Sequence, residues 1–390
     1  MKYKLLACVL CLILCTGCWD KSELEDQIFV VMMGIDKHDS ENVNVTVAFP
    51  MTGASGGEDK MEYSVMRAAA PSVVEALNLF STKLAGPLSY FSTKTIVISE
   101  ELAKDEALFQ RVVSSWRYEQ MRNNTNVMIS SCKASDFIEA RMKDPIIDLL
   151  HQEDLILEQA NFSAYYTPVQ FLDLIINMKT GKRDGAAMYG GVAEEAKDNV
   201  KDGYLPGEIP VESDNKTQLG GLAIFSGGKM AGALSSGEAQ TYAMMIKSRT
   251  RKILTLPDPQ NADGSVVVSI LPNSKSKIHG HLNGGSPVFD ITVNLNCIVE
   301  NVTKDTDYTT DENHAVLTEE ITKICTENME SLMKKLQELN ADTLNLGDKL
   351  TRHFKTTREW EDYNWNKIYK DAEIRIHVNL EIDRAGIVKA

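Results

Sequence analysis

Four cysteines near the start of the chain have a spacing that could hold a metal cluster. Cys8, Cys11, Cys15 and Cys18 follow the pattern C-x2-C-x3-C-x2-C, and thiolates so placed can bind zinc or an iron–sulfur cluster. The first three, however, lie in or beside the apolar run 5–14, where cysteine acts as a small hydrophobe and polar groups that orient metal ligands are missing. We expect no metal there, and the sequence indicates no cofactor.

A serine in a glycine-rich stretch matches the nucleophile elbow of hydrolases. Residues 53–57 read Gly-Ala-Ser-Gly-Gly, which places Ser55 at the centre of a G-x-S-x-G pattern. The elbow needs a strand before the serine and a helix after it. A strand is predicted before it, but charged residues and another strand-like stretch follow, so a loop is favoured.

Two further groups of side chains could bind a cation. His279 and His281 alternate along a predicted strand and so share one face, but a zinc site needs three or four ligands. Carboxylates are frequent near the start of the chain, without the spacing of a calcium-binding EF-hand loop. We expect them to form a solvated acidic segment: Asp20, Glu23, Glu25, Asp26 and Asp36.

Aromatic residues crowd the segment before the last predicted strand. Trp360, Tyr363, Trp365 and Tyr369 lie within ten positions of each other. Tryptophan and tyrosine are enriched at protein interfaces, and they are as often part of a core. Both interpretations stay open at this stage.

The first eighteen residues have the organisation of a lipoprotein signal peptide. Lys2 and Lys4 precede the apolar run 5–14, which is too short to span a bilayer. Small residues then lead to Cys18, although Cys15 stands where bacterial lipoproteins usually carry leucine. We therefore predict removal of residues 1–17 and a lipid on the Cys18 sulfur. No later run is long and apolar enough for a transmembrane helix.

Composition narrows the possible functions. The chain has 390 residues and a formal net charge of -14, which argues against a nucleic-acid-binding protein and against broad electrostatic adhesion to anionic lipid. Hydrophobic residues make up 43% of the sequence, an ordinary share for globular protein. At this length, two or three domains are expected.

The hydrophobic periodicity positions these residues on an α+β fold. Strands and helices do not alternate strictly, so we predict mainly antiparallel sheets flanked by helices. The predicted organisation is a signal peptide (1–17), an N-terminal α+β domain (18–200), a linker (201–218) and a C-terminal α+β domain (219–390) with a long helix over 312–339. Residues 373–382 alternate apolar and polar, which favours a closing strand in an antiparallel sheet.

Several short motifs, in this order, resemble those of the Ger(x)C family, the lipoprotein C subunits of spore germinant receptors. The segments that carry the resemblance are Cys18 with the following Trp-Asp-Lys-Ser-Glu-Leu-Glu-Asp, Gly34-Ile35-Asp36, the run Gly-Leu-Ala-Ile-Phe at 221–225 followed by Lys229, Gly232 and Glu238, and Ile-Asp-Arg-Ala-Gly at 382–386. The resemblance covers almost the whole chain.

This resemblance implies a partner system. A lipid anchored at Cys18 would hold the chain on the outer face of the inner spore membrane, beside A-type and B-type membrane subunits that respond to nutrients. It implies no enzymatic activity and assigns no germinant-binding residue to this chain. Two alternatives stay open: a solute-binding lipoprotein of a transporter, and a secreted hydrolase that uses Ser55.

Overall fold

Two β-sheets with packed helices make up the part of the chain that the computed structural model describes. That part comprises residues 27–51, 62–84, 86–115, 122–143, 149–179, 183–193, 201, 203–246, 251–271, 275–304 and 306–383. Cys18 and Ser55 lie outside it.

The strands are β1 (Ile28–Phe29), β2 (Met32–Lys37), β3 (Val43–Pro50), β4 (Tyr63–Ala70), β5 (Leu88–Ser89), β6 (Thr95–Ser99), β7 (Asn126–Ser130), β8 (Ala186–Val192), β9 (Thr217–Ser226), β10 (Lys229–Leu234), β11 (Lys252–Asp258), β12 (Asn261–Ile270), β13 (Lys275–Asn283), β14 (Ser286–Val302) and β15 (Glu373–Asp383).

The α-helices are α1 (Val73–Phe80), α2 (Glu100–Lys104), α3 (Glu106–Ser115), α4 (Ala134–Met142), α5 (Leu149–Ser163), α6 (Phe171–Lys179), α7 (Ser236–Met245), α8 (Asp311–Glu338), α9 (Leu346–Leu350), α10 (Thr357–Tyr363) and α11 (Trp365–Ile368); 3-10 turns cover Thr351–His353 and Tyr369–Asp371. The long helix predicted over 312–339 is confirmed as α8 within one residue at each end.

The first sheet has eight strands in the order β10-β9-β8-β7-β6-β2-β3-β4. Its central strands β8, β7, β6 and β2 run parallel, and antiparallel pairs complete both sides. Every residue of β6 and β7 is buried, as expected for parallel strands covered on both faces. One face packs on α1, α2, α3 and α6, and the other on α4 and α5.

The second sheet forms around the seventeen-residue strand β14. Antiparallel β13 pairs with the first half of β14, antiparallel β12 pairs with its last part, and β11 extends the sheet beyond β12. The apolar stripe of α8 packs on this sheet in one core with α7 and with Leu222 and Ile224 from β9. The α+β class predicted from the sequence is therefore confirmed, with antiparallel pairs in the majority.

The direction of the closing strand differs from the prediction. β15 alternates exposed and more buried residues as expected, but it pairs with β14 in parallel, from Val288 opposite Glu373 to Ile298 opposite Asp383. The prediction of an antiparallel strand was wrong because alternation reports one covered face and not strand direction. The connection from β14 to β15 runs through α8, and a helical crossover of this kind joins parallel strands.

Hydrogen bonds cross the predicted domain boundary. β8 precedes the segment 201–218 and β9 begins inside it, yet Ala186 pairs with Ile224 and Val192 pairs with Thr217 in one antiparallel ladder. The division into domains 18–200 and 219–390 stays a prediction. Within the described ranges, we find no helix with the length and apolarity needed to cross a membrane.

Candidate functional site

The side chains that the sequence offered for chemistry are dispersed. His279 and His281 are exposed on β13, and the nearest ion-pair partner of His281 is Asp290 at 4.0 Å. Among the described residues, no group of three or more histidine, cysteine, aspartate or glutamate side chains is arranged to hold a metal ion. Cys297 and Cys325 are buried free thiols, and burial raises the pKa of Cys297 to about 12 and that of Cys325 to about 11.

The last carboxylate of the predicted acidic segment has a structural role. Asp36, at the end of β2, is buried and accepts hydrogen bonds from the amides of Ala134 (2.6 Å) and Ser135 (3.0 Å). These are the first amides of α4, which have no partner within their own helix. A carboxylate at this position also interacts favourably with the helix dipole. For Asp36, the expectation of a solvated side chain was therefore wrong, because a β-strand brings it beneath a helix terminus.

The two halves of the chain meet through a reciprocal pair of aspartates. Asp184, just before β8, donates its amide to the Asp342 carbonyl (2.9 Å), and the Asp342 amide donates to a carboxylate oxygen of Asp184 (3.0 Å). Beside them, the Ser226 hydroxyl donates to the Asn340 carbonyl (2.6 Å). We call residues 340–347, which follow α8, the junction loop; its backbone is held against the first sheet by these bonds.

The side chain of Asp342 is a buried hydrogen-bond acceptor. Its carboxylate accepts from the amides of Leu346 (2.8 Å) and Gly347 (2.7 Å) and from Trp365 Nε1 (3.0 Å). Burial outweighs these three donors and raises the pKa of the Asp342 carboxyl to about 7. Burial also raises the pKa of Asp184 to about 6. The carboxylates are satisfied within the fold, so they position the junction loop.

The aromatic segment before β15 completes the inner side of this junction. Trp360, Trp365 and Tyr369 are buried in the core of the second sheet. Trp365 lies 5.8 Å from the Phe289 ring and 5.5 Å from the Tyr369 ring, centroid to centroid. Of the two interpretations left open by the sequence, the core applies to these three residues.

A capping box links helix α7 to the long helix. The Ser235 side chain accepts from the Glu238 amide, and the Glu238 carboxylate accepts from the Ser235 amide at 2.7 Å. The same carboxylate binds the Lys335 ammonium of α8 at 2.7 Å. A helix cap and an ion pair between α7 and α8 thus share one side chain.

Two glycines, one on β9 and one on β10, allow other parts of the chain to approach these strands closely. Gly221 has φ +98°, and a Cβ there would lie 2.2 Å from the Leu234 carbonyl oxygen. A Cβ on Gly232 would lie 2.7 Å from the Leu339 side chain at the end of α8. Gly232 and Glu238, two of the residues that carried the resemblance, therefore contact α8 or the residue that ends it.

An open cleft of about 640 Å³ lies between β11, α7 and α8. It is lined by the edge strand β11, by α8, by the start of α7 and by Tyr165, Lys201 and Tyr204. Gln240, also in the lining, donates to the Ser163 carbonyl at 2.8 Å. The lining residues, all in the described part of the chain, include no carboxylate, histidine or cysteine. This composition can bind an apolar or hydrogen-bonding group.

Comparison with known families decides the relationship of the chain. The sequence model of the family described as "Spore germination protein N-terminal domain" matches residues 20–190. The model of the family described as "Spore germination B3/GerAC like, C-terminal" matches residues 220–386. The two matches are consecutive and together span most of the sequence. The chain belongs to the Ger(x)C family.

Relatives of this Ger(x)C protein occur in Bacillus subtilis (strain 168). The chain is 24% identical to "Putative spore germination protein YfkR", over all of this chain and 98% of the relative. It is 23% identical to "Spore germination protein KC", with 97% and 94% covered, and 21% identical to "Spore germination protein B3", with 95% of each covered.

A solved structure shares the fold. The crystal structure of the GerBC protein matches with a TM-score of 0.53 over 90% of this chain and 96% of that chain, at 16% sequence identity. At this identity the similarity concerns the fold of this Ger(x)C chain.

Sequence reasoning missed the central residues of the junction. The capping box had a readable signal, because Ser235 and Glu238 have the S-x-x-E spacing before a helix. Asp184 and Asp342 had none, since their pairing joins positions 158 residues apart and depends on how the two sheets meet.

Proposed function

We propose that this chain is a lipid-anchored, non-catalytic subunit of a spore germinant receptor that acts in nutrient-triggered germination. The observation that carries the proposal is the succession of both family matches along the chain, the first of which begins two residues after Cys18. The anchor is a lipid on the Cys18 sulfur, and the location is the outer face of the inner spore membrane.

The physics of lipid anchoring supports this assignment. A single acyl chain binds a membrane marginally, whereas two give stable attachment. A diacylglycerol thioether on Cys18 supplies two chains. No transmembrane helix is needed for attachment in this scheme.

The junction explains how a tether on one half of the chain can serve the whole. Bonds between Asp184 and Asp342 and from the Ser226 hydroxyl to the Asn340 carbonyl connect the first sheet to the loop that follows α8 in the second half. A tether near the first sheet therefore also restricts the second. Confinement raises the effective concentration of both beside membrane-held partners, so modest interfaces with A-type and B-type subunits suffice for assembly or signalling.

The alternative of a solute-binding lipoprotein has less support. Such proteins usually have two lobes with parallel sheets around a ligand cleft, whereas the second sheet here is mainly antiparallel. Tight binding of a nutrient by the isolated mature chain would favour that alternative.

Replacement of Cys18 tests the anchor. We expect Cys18→Ala to abolish incorporation of a labelled fatty acid and to release the chain or leave it unprocessed. Cys132→Ala is the matched control, because Cys132 is a free thiol elsewhere in the chain. A Cys18→Ala chain that still carries the label contradicts the anchor.

Crosslinking in spore membranes tests the partners. A photoreactive amino acid incorporated at surface positions of the chain is expected to capture A-type and B-type subunits, which mass spectrometry identifies. Capture of a transporter permease instead would favour the solute-binding alternative.

A further inference from the structure

The position where the chain enters the first sheet restricts the orientation of the protein on a membrane. β1 leads directly into β2, whose first residue Met32 is in register with Thr95 of β6, which in turn pairs with Asn126 of β7. These residues mark one edge of the sheet, at which parallel strands β2, β6 and β7 begin. We call it the amino edge.

The segment between Cys18 and this edge is short compared with the diameter of the folded chain. Nine residues lie between Cys18 and Ile28, so ten Cα-to-Cα steps of about 3.5 Å reach at most about 35 Å. A compact chain of this length is roughly 50 Å across. If Cys18 is held in a bilayer, the amino edge stays within about 35 Å of the lipid surface. The tether enters the sheet at this edge, and the carboxyl ends of the five-residue strands β6 and β7 lie a further strand length of about 17 Å along the chain direction.

The amino edge carries exposed apolar side chains of the kind that enter a membrane interface. Phe91, in the turn before β6, is 47% exposed. Met51, directly after the end of β3, is 50% exposed. Since β3 pairs with β2 and β2 with β6, the two strand ends lie about 10 Å apart at a spacing of about 4.8 Å per strand.

Cations accompany these apolar side chains. The Arg122 guanidinium lies 6.0 Å from the centroid of the Phe91 ring, and Lys83, in the loop before β5, is exposed. Lys94, at the same edge, forms an ion pair with Asp154 at 2.8 Å. One exposed carboxylate, Glu62, also lies at this edge, directly before β4. Aromatic rings beside arginine or lysine are typical of the level of lipid headgroups.

Charge alone does not hold this edge on a lipid surface. Between Cys18 and Gln27, four carboxylates stand against one lysine, which opposes attraction to anionic lipid. Apolar insertion beside a covalent tether does not need that attraction, because the tether keeps the side chains within reach of the interface.

We infer that the amino edge is the membrane-facing surface of this protein, with Phe91 and Met51 inserted at the headgroup level of the bilayer and Arg122 at its phosphates. This inference rests on the proposed lipid anchor at Cys18. It adds the orientation of the body: β2, β6 and β7 point away from the bilayer, and their carboxyl ends are directed outward.

Spin labels can test this orientation on the full lipidated chain. The chain is purified from the membranes of the cells that produce it and is reconstituted in phosphatidylethanolamine–phosphatidylglycerol vesicles. In a Cys132→Ser background, a nitroxide is attached to Phe91→Cys or, in a second sample, to Met51→Cys. Val211→Cys is the matched control, because Val211 is also an exposed apolar residue, with 61% exposure. It lies at the other end of the strands: the neighbouring Ile209 amide donates to Gln218, which pairs with Gly191 near the end of β8.

Collision rates with oxygen, which concentrates in lipid, and with a water-soluble nickel complex then report the surroundings of each label. We expect an oxygen-to-nickel ratio severalfold higher at positions 91 and 51 than at 211. Equal ratios at all three positions, with mass spectrometry showing a diacylglyceryl group on Cys18, overturn the orientation and leave the proposed function intact. An unmodified Cys18 in the same preparation overturns both.

Discussion

The amide of Asp342 donates to the carboxylate of Asp184 at 3.0 Å, while the amide of Asp184 donates to the carbonyl of Asp342 at 2.9 Å. This reciprocal pair joins the loop after the long helix to the start of β8. Because both carboxyl groups are largely removed from water, we expect the junction to respond to pH and to the loss of any donor.

Stability is expected to fall as pH rises through the range in which Asp342 loses its proton. Burial raises the pKa of this carboxyl from 3.8 to about 7, so the folded chain binds the proton more tightly than the unfolded chain. The contribution is therefore complete below pH 3.8 and lost as pH approaches 7. Each unit of pKa shift corresponds to about 1.4 kcal/mol. Urea unfolding at a series of pH values measures it.

Asp342→Asn is expected to flatten that pH profile, because an amide does not titrate. Asp371→Asn changes an exposed aspartate and serves as the control whose profile should follow the unaltered chain. Parallel profiles for Asp342→Asn and the unaltered chain would show that Asp342 does not titrate in this range.

Trp365→Phe is expected to destabilise the chain more than Trp360→Phe. Both tryptophans are buried in the same aromatic cluster, 6.3 Å apart between ring centroids, but Trp365 also donates to the Asp342 carboxylate. Loss of a donor to a buried charged group costs about 1–3 kcal/mol. Thermal and urea unfolding of the two variants measure the difference; equal losses would mean that ring packing alone matters here.

Asp36→Ala is expected to lower the free energy of unfolding by about 1–2 kcal/mol or somewhat more, since it removes the acceptor for two amides at the start of α4. Asp136→Ala, which changes an exposed aspartate in the first turn of the same helix, controls for the loss of a negative charge near the dipole. The idea fails if the urea midpoints of the two variants coincide.

Gly221→Ala is expected to be far more damaging than Gly227→Ala. Both glycines have positive φ, but a Cβ at 221 would meet the Leu234 carbonyl at 2.2 Å, whereas nothing lies within 4 Å of one at 227. At positive φ, alanine is about 1 kcal/mol less stable than glycine. At position 221, the clash with the Leu234 carbonyl adds to that cost. Comparison of soluble yield and melting temperature tests this; similar values for both variants would contradict the clash.

The amino-acid sequence by itself determined the local elements and the family. Apolar runs indicated the buried strands β6 and β7, and helical periodicity located α8 within one residue at each end. The motifs from Cys18 to Gly386 indicated the Ger(x)C relationship. These features are readable because hydrophobic spacing and special backbone positions leave a mark within a few residues.

Tertiary structure alone decided how those elements meet. Alternation in residues 373–382 could not tell that β15 runs parallel to β14. Nothing near Asp36, Asp184 or Asp342 in sequence showed which distant N–H groups these residues would bind. The physical reason is that a buried carboxylate is satisfied by whichever donors the packing of whole sheets and helices brings to it, and this information is distributed over the chain.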